Sequence, residues 1–156
     1  MSLLSRPKHS KDSCYQKITP KSANWDFVGF EAHDLDEMET LDWKDQENES
    51  CLVILSGLAN IIVDNEEFLN IGERMSVFDD LNPHAIYVPN NKQIKVTALT
   101  KLELAIAVAP GFGNFPPRHI KPDEMDSEVR GEGSNPRLIC NILPEKEKAD
   151  SLLVVE

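Results

Sequence analysis

The stretch ESCLVILSGLANIIVD (49–64) decides the fold class of this chain. Its first part, 49–57, is a continuous apolar run closed by Ser-Gly, which is typical of a strand in the centre of a sheet. Its second part, 58–64, alternates apolar and polar side chains, as a strand with one buried face does. Both parts therefore predict β-strands.

The same signals continue on either side of this stretch. Further strand candidates occur at 25–35, 38–43, 68–78, 84–89, 94–100 and 102–110. No segment of 15–110 shows a helical period over three turns, and turn residues recur roughly every ten positions. This pattern predicts an all-β protein with a jelly-roll barrel, closed to protect its edge strands.

The composition changes after Pro110. Residues 111–137 hold four glycines and four prolines, which indicates irregular backbone. The sequence then becomes apolar again and ends in SLLVVE (151–156). The predicted organisation is a flexible arm (1–14), a barrel (15–110), a connector (111–137) and a segment of strands (138–156). That last segment needs a cover, and we expect it to pack on the barrel, on a dimer mate or on an absent second barrel.

Charge and cysteine content exclude several classes of function. The chain has 27 acidic and 16 basic residues, so its net charge is −11, which argues against binding to nucleic acid. No apolar stretch is long enough to span a membrane, and the first residues lack the apolar region of a signal peptide. Three cysteines without paired spacing predict a reducing, cytoplasmic location.

Several blocks of the sequence resemble one family. The blocks are VGFEAHDL, ESCLVILSGLANI, GERMSVF, IYVP, LAIAVAPG, VRGEGSNPRLICNILP and SLLVVE, and the last two are the most specific. In this order they are similar to the amino-terminal half of the 5-deoxy-glucuronate isomerases of bacterial myo-inositol catabolism. The resemblance covers nearly the whole chain from about residue 18.

The resemblance implies a cupin-type fold, a substrate and a reaction. Members of this family resemble bicupins, with two jelly-roll barrels in one chain, and they interconvert an aldose sugar acid with its ketose isomer. The divalent metal that the resemblance implies belongs to the second barrel, whose His-x-His motif lies beyond the segment that matches SLLVVE. The chain ends before that motif, as a truncated product or as a half-length relative.

The residues of this half offer few metal ligands. A cupin metal site combines two histidines one residue apart with a Glu and a later His. Glu49 precedes the apolar run, but 41–50 contains no histidine, and His84 alone occupies the later position. Because a retained metal needs three or more protein ligands, we expect no metal and no cofactor in this half.

The arginines and histidines are the candidate substrate-binding residues. Arg118, Arg130 and Arg137 lie in the connector, and a planar guanidinium suits the carboxylate of a sugar acid. The alternative is that they pair with the many acids around them. His84 follows a proline at a mouth-like loop and joins them as a substrate-binding candidate, whereas His33 is expected at the surface.

Three functions remain open. The chain is the scaffolding half of the isomerase, a metal-free cupin that binds a small acid or a protein partner without turnover, or an independently catalytic half-length enzyme. We expect a homo-oligomer, formed through 138–156. No catalytic base and electrophile can be paired from these residues, so the third function has the least support.

Overall fold

The computed structural model describes residues 4–7 and 13–156, and nearly all of its regular structure is β-strand. A short helix, α1 (Pro20–Ala23), and a 3-10 turn, Pro122–Glu124, are the helical elements of the described part. The strands are β1 Cys14–Ile18, β2 Gly29–Leu35, β3 Thr40–Trp43, β4 Asn48–Ser56, β5 Ala59–Val63, β6 Glu66–Ile71, β7 Ala85–Val88, β8 Ile94–Ala98, β9 Leu102–Pro110, β10 Arg118–Ile120, β11 Asp126–Arg130, β12 Arg137–Leu143 and β13 Val154–Val155. The all-β prediction is confirmed.

The strands form three antiparallel sheets. The largest has the order β1-β2-β9-β4-β7-β10, the second β3-β8-β5-β6 and the third β11-β12-β13. A core of leucine, isoleucine, valine and alanine side chains from the first two sheets lies between them. These two facing sheets correspond to the cupin-type jelly roll that the sequence predicted.

The central strands of the six-stranded sheet are buried on both faces. In β4, Leu52 and Ile54 point into the core between the two large sheets. Their neighbours Cys51 and Val53 point the other way, into a second core that the third sheet covers. A strand that is covered on both faces needs apolar side chains on both, which explains the continuous apolar run within 49–57.

The carboxyl-terminal segment packs on the barrel itself. Leu152 is 3% exposed and belongs to the second core, whereas the next residue, Leu153, is 63% exposed. The last strand is held to β12 by two backbone bonds, Cys140 N to Glu156 O (2.9 Å) and Glu156 N to Cys140 O (3.0 Å). The inward side of 138–156 therefore packs on the barrel, which is one of the three packing partners considered above.

Three local features differ from the expectations or lie outside the structure. The arm predicted at 1–14 lies mostly outside the described residues, and β1 begins at its last residue. The connector is less irregular than expected, because β10 pairs with β7 and β11 pairs with β12. The strand candidate at 68–78 is a strand only as far as Ile71, and the residues after it form a turn in which Met75 N and Ser76 N donate to the Asp79 carboxylate.

None of the helices in the described part of the chain is long and apolar enough to cross a membrane.

Candidate functional site

Glu49 is the central polar residue of the second core. Its side chain is fully buried. One carboxylate oxygen accepts from the Tyr87 hydroxyl (2.6 Å) and from Asp150 N (2.9 Å). The other accepts from Ser151 N (2.7 Å) and Leu152 N (2.6 Å). The four bonds use the carboxylate fully, so Glu49 fastens the carboxyl-terminal segment to the sheet.

Tyr87 is a fixed hydrogen-bond donor beside Glu49. Burial, followed by the bond to Glu49, raises the pKa of the Tyr87 hydroxyl far above its usual range, so it stays protonated. The Arg118 guanidinium lies over the Tyr87 ring, 4.9 Å from its centroid. Arg118 also donates to the backbone oxygen of Lys148. This arginine is therefore oriented by an aromatic face and a carbonyl.

A cleft opens beside Arg118. It has a volume of about 330 Å³ and lies between β10 and β12. Its lining holds the basic residues Arg118, His119 and Lys146 and the acids Glu124, Asp126 and Glu147. The buried Nη2 of Arg118 has no hydrogen-bond acceptor among the residues the structure describes, although a carboxylate oxygen of Glu147 lies 3.7 Å away. Of the four candidate substrate-binding residues, Arg118 alone lines this cleft.

His84 and His119 form a pair. Nδ1 of His84 lies 2.8 Å from Nε2 of His119, and the two rings stack with centroids 5.0 Å apart. Burial lowers the pKa of both imidazoles, and the neighbouring His84 lowers that of His119 further. Each ring is therefore harder to protonate than a free imidazole, and one ring nitrogen donates to the other. The sequence predicted His84 as a binding residue by itself and did not connect it with His119.

Arg130 and Arg137 lie elsewhere. They face each other across the β11–β12 hairpin and are exposed. Arg130 donates to Glu128 through Nε (3.0 Å) and Nη2 (2.5 Å), as the ion-pairing alternative expected. Neither arginine lines the cleft beside Arg118. The structure therefore does not bring the three connector arginines to one site.

Glu49 and His84 are too far apart to share a metal ion. The backbone oxygen of His84 accepts from Ile54 N, five residues along β4 from Glu49. Five residues of strand span about 16 Å. The core between the two large sheets, where a cupin metal would be held, consists of aliphatic side chains along β4, β7 and β9. The positions of Glu49 and His84 therefore do not fit the divalent metal that the resemblance implies.

Two buried polar residues were not recognised from the sequence. Arg74 lies in the loop after β6, and its side chain is 3% exposed. Arg74 donates to Leu55 O (2.8 Å) and binds Glu156 through both terminal nitrogens, at 2.9 and 2.5 Å. No local pattern indicates a partner 82 residues away.

His33 is the second of these residues, and the expectation of a surface position was wrong. It is 3% exposed and lies on the face of β2 that points between the sheets. Nε2 of His33 lies 3.0 Å from a carboxylate oxygen of Glu31, which also accepts from Trp43 Nε1 (3.2 Å). The period of β2 puts His33 on the same face as buried Leu35, and this was the available signal.

Comparison with known proteins identifies relatives along the whole chain. The model of the KduI/IolB family matches residues 3–156. The chain is 46% identical to the 5-deoxy-glucuronate isomerase of Geobacillus thermodenitrificans, across 99% of this chain and 56% of the relative. It is 44% identical to the Geobacillus kaustophilus isomerase, across 100% of this chain and 57% of the relative. The chain thus spans little more than half the length of these curated relatives.

A solved structure shares the fold closely. The crystal structure of an IolB-like protein from Salmonella typhimurium superposes with a TM-score of 0.93 at 44% sequence identity. The match covers 99% of this chain and 59% of that protein.

Proposed function

Because this chain belongs to the KduI/IolB family, we propose that it forms the amino-terminal half of a 5-deoxy-glucuronate isomerase. The reaction would convert 5-deoxy-glucuronate, an aldose sugar acid, into its ketose isomer, 5-dehydro-2-deoxy-gluconate. The observation that carries this proposal is the identity of 44–46% to named isomerases along 99–100% of the chain. The relatives extend well beyond the matched part, and we assign the divalent metal to that remaining part.

The contribution proposed for this half is architectural. Aldose–ketose isomerisation needs a base of suitable pKa and a group that stabilises the oxygens of the enediolate. Glu49, the buried acid of the second core, is occupied by four donors, and Tyr87 is held protonated. Neither is free to act as a base. We therefore place the base and the metal in the other half.

The cleft beside Arg118 is the proposed contact with substrate. A guanidinium nitrogen without an acceptor suits a carboxylate, and Lys146 and His119 line the same space. Its volume of about 330 Å³ is of the size that a small sugar acid fills. Binding there would orient the acid end of the substrate while the reaction proceeds on the second barrel.

The same cleft supports a second candidate function. A metal-free cupin that binds a small acid without turnover would need only the Arg118 cleft and no second barrel. The observation that favours it is the buried guanidinium nitrogen without a hydrogen-bond acceptor in the described ranges. The two functions differ in one respect: whether the second half is needed for any activity.

The cysteines, the exposed leucines and the net charge bear on the cellular location and the partners that we propose. The three cysteines form no disulfide with one another, which suits a reducing cytoplasm. Leu138 and Leu153, in the segment expected to form an oligomer, are 69% and 63% exposed. We propose that the outer side of 138–156 contacts a second copy or the other half. The net charge of −11 supports the absence of nucleic-acid partners.

A chimaera tests the proposed function. Residues 1–156 are joined to the remaining part of the Geobacillus thermodenitrificans isomerase, and turnover of 5-deoxy-glucuronate is measured for the chain alone and for the chimaera. We expect no turnover by the chain alone and turnover by the chimaera. Turnover by the chain alone would contradict the architectural role, and a folded but inactive chimaera would contradict the isomerase assignment.

Two matched variants of the chimaera test the cleft. Arg118→Gln should raise KM for 5-deoxy-glucuronate by about tenfold or more, since it removes a charge-assisted bond to the carboxylate. Arg137→Gln, on the exposed hairpin, should leave KM unchanged. Equal KM values for the two variants would show that the cleft does not hold the substrate. Binding of the substrate by the chain alone, without turnover by the chimaera, would favour the second candidate function.

A further inference from the structure

A cluster of metal-binding side chains lies where β1 meets β2, apart from the Arg118 cleft. Cys14, Glu31 and His33 each present one ligand atom, and these atoms all lie within 4.8 Å of one another. His33 is buried, and Cys14 and Glu31 are half-buried. Thiolate, imidazole and carboxylate are the three side-chain ligands that Zn²⁺ takes in proteins.

A break in strand register creates the cluster. Cys14 pairs with His33 and Lys17 pairs with Glu31, so Tyr15 is an extra residue in β1. The bulge puts Cys14 and Lys17, which are three positions apart, on the same face of the sheet as Glu31 and His33. In a regular strand they would lie on opposite faces. Bulges of this kind re-aim side chains and are common beside functional sites.

The spacing of Glu31 and His33 fits two ligands of one ion. His33 Nε2 lies 3.0 Å from Glu31 Oε2. Two ligands at the usual Zn–N and Zn–O lengths, at a tetrahedral angle, are about 3.3 Å apart. Lys17 holds the other oxygen of Glu31 at 2.6 Å, and Trp43 donates to Oε2. These supporting bonds orient the carboxylate as the outer partners of a metal site do.

We propose that Cys14, Glu31 and His33 bind a single divalent cation of the Zn²⁺ class, with water completing the coordination. The expectation of no metal in this half considered only Glu49 and His84. The proposed site lies at the margin of the space between the two large sheets, next to β3 through Trp43. The proposed metal site does not depend on the isomerase assignment, so an experiment that contradicts one leaves the other unaffected.

Charges and protons balance at this site. Glu31 lies 2.6 Å from the Lys17 ammonium and accepts from Trp43 Nε1, contacts that an anionic carboxylate makes. On binding, the Cys14 thiol releases its proton to solvent. The proton between His33 and Glu31 moves to Nδ1 of His33, which faces the Ser13 hydroxyl at 3.2 Å. The ion thus meets two anions and a neutral imidazole.

Titration of the chelator-treated chain with Co²⁺ tests the proposal. Cobalt bound by a thiolate gives a charge-transfer absorption band, and we expect this band to saturate at one ion per chain and to disappear when Zn²⁺ is added. Cys14→Ser should abolish the band. His33→Gln and Glu31→Gln should each weaken binding by more than about tenfold. Circular dichroism establishes that each variant is folded.

Two matched variants decide the location. Cys140→Ser removes a buried thiol elsewhere, and His119→Gln disrupts the histidine pair; both should keep the band at full strength. A band that survives Cys14→Ser, or that disappears with His119→Gln, would overturn the site. Absence of Co²⁺ and Zn²⁺ binding by the unaltered chain would overturn it as well. If Cys14→Ser does not fold, the site is tested with Glu31→Gln, which keeps the size of the side chain. Unchanged Co²⁺ affinity in that variant would overturn the site.

Discussion

Replacing Glu49 by Gln should loosen the carboxyl-terminal segment from the barrel. Each oxygen of Glu49 accepts two bonds, so the amide NH₂ of the variant must face two donors. The least costly orientation turns NH₂ toward the Tyr87 hydroxyl, which can rotate and accept. Asp150 N then loses its acceptor, and the bonds from Ser151 and Leu152 lose their charge assistance.

The loss in stability follows from these bonds. A hydrogen bond to a charged group contributes about 1.5–3 kcal/mol, and a buried donor left unpaired costs a similar amount. We expect Glu49→Gln to lower the free energy of unfolding by about 3 kcal/mol, which is a large part of the 5–15 kcal/mol that a domain of this size usually has. Urea denaturation measures this change as a lower midpoint at unchanged slope.

Hydrogen exchange separates a local effect from a global one. In Glu49→Gln, amides of 150–156 should exchange faster than the change in global stability accounts for, whereas β8 amides should follow the global change. Glu47→Gln, an exposed neighbour, is the matched control and should change neither measurement. A stability loss below about 0.5 kcal/mol with unaltered protection of 150–156 would refute the reasoning.

Three further perturbations follow from the same structure. Arg74→Met should lower the unfolding free energy by about 1–3 kcal/mol, because its partner Glu156 keeps partial exposure; an unchanged thermal midpoint would contradict this. His119→Gln should flatten the pH dependence of stability below pH 6.5. Burial lowers the pKa of His119 and of His84 in the folded state, so stability that is present above pH 6.5 is lost as the pH falls toward the lowered values. Urea midpoints measured across this pH range test the prediction. Gly57→Ala should cost about 1–3 kcal/mol, since φ is +94° and a Cβ would lie 2.2 Å from a backbone oxygen; a variant as stable as the parent in urea would count against that strain.

The strand pattern was readable from sequence because it depends on neighbours along the chain. The alternation of 58–64 and the closed apolar run of 49–57 correspond to β5 and β4. The strands at 118–120 and 126–130 were missed because glycine and proline dominate that segment locally. Their partners lie in β7 and β12, and Ile120 and Met125 are anchored in the second core.

The polar contacts could not be read in the same way. Glu49 was weighed as a metal ligand, but its partners are 101 to 103 residues away. Arg118 was singled out for its chemistry, while its position over Tyr87 depends on the pairing of β10 with β7. A lone acid at the start of a continuous apolar run was the available signal, because a buried charge must be satisfied by donors from elsewhere.

The double burial of the six-stranded sheet has a consequence for how its strands are aligned. In most sheets, a slip of one residue exposes apolar side chains to water, and polarity alone fixes the alignment. From Cys51 to Ile54, a slipped β4 would exchange one apolar interior for another, so polarity gives little discrimination among these residues. Side-chain volume does: Leu52 and Ile54 face the larger core, while Cys51 lies among the alanines of β7 and β9. Side-chain size thus encodes the alignment of this apolar part of β4, and a swap of Cys51 and Leu52 would disrupt it without changing composition.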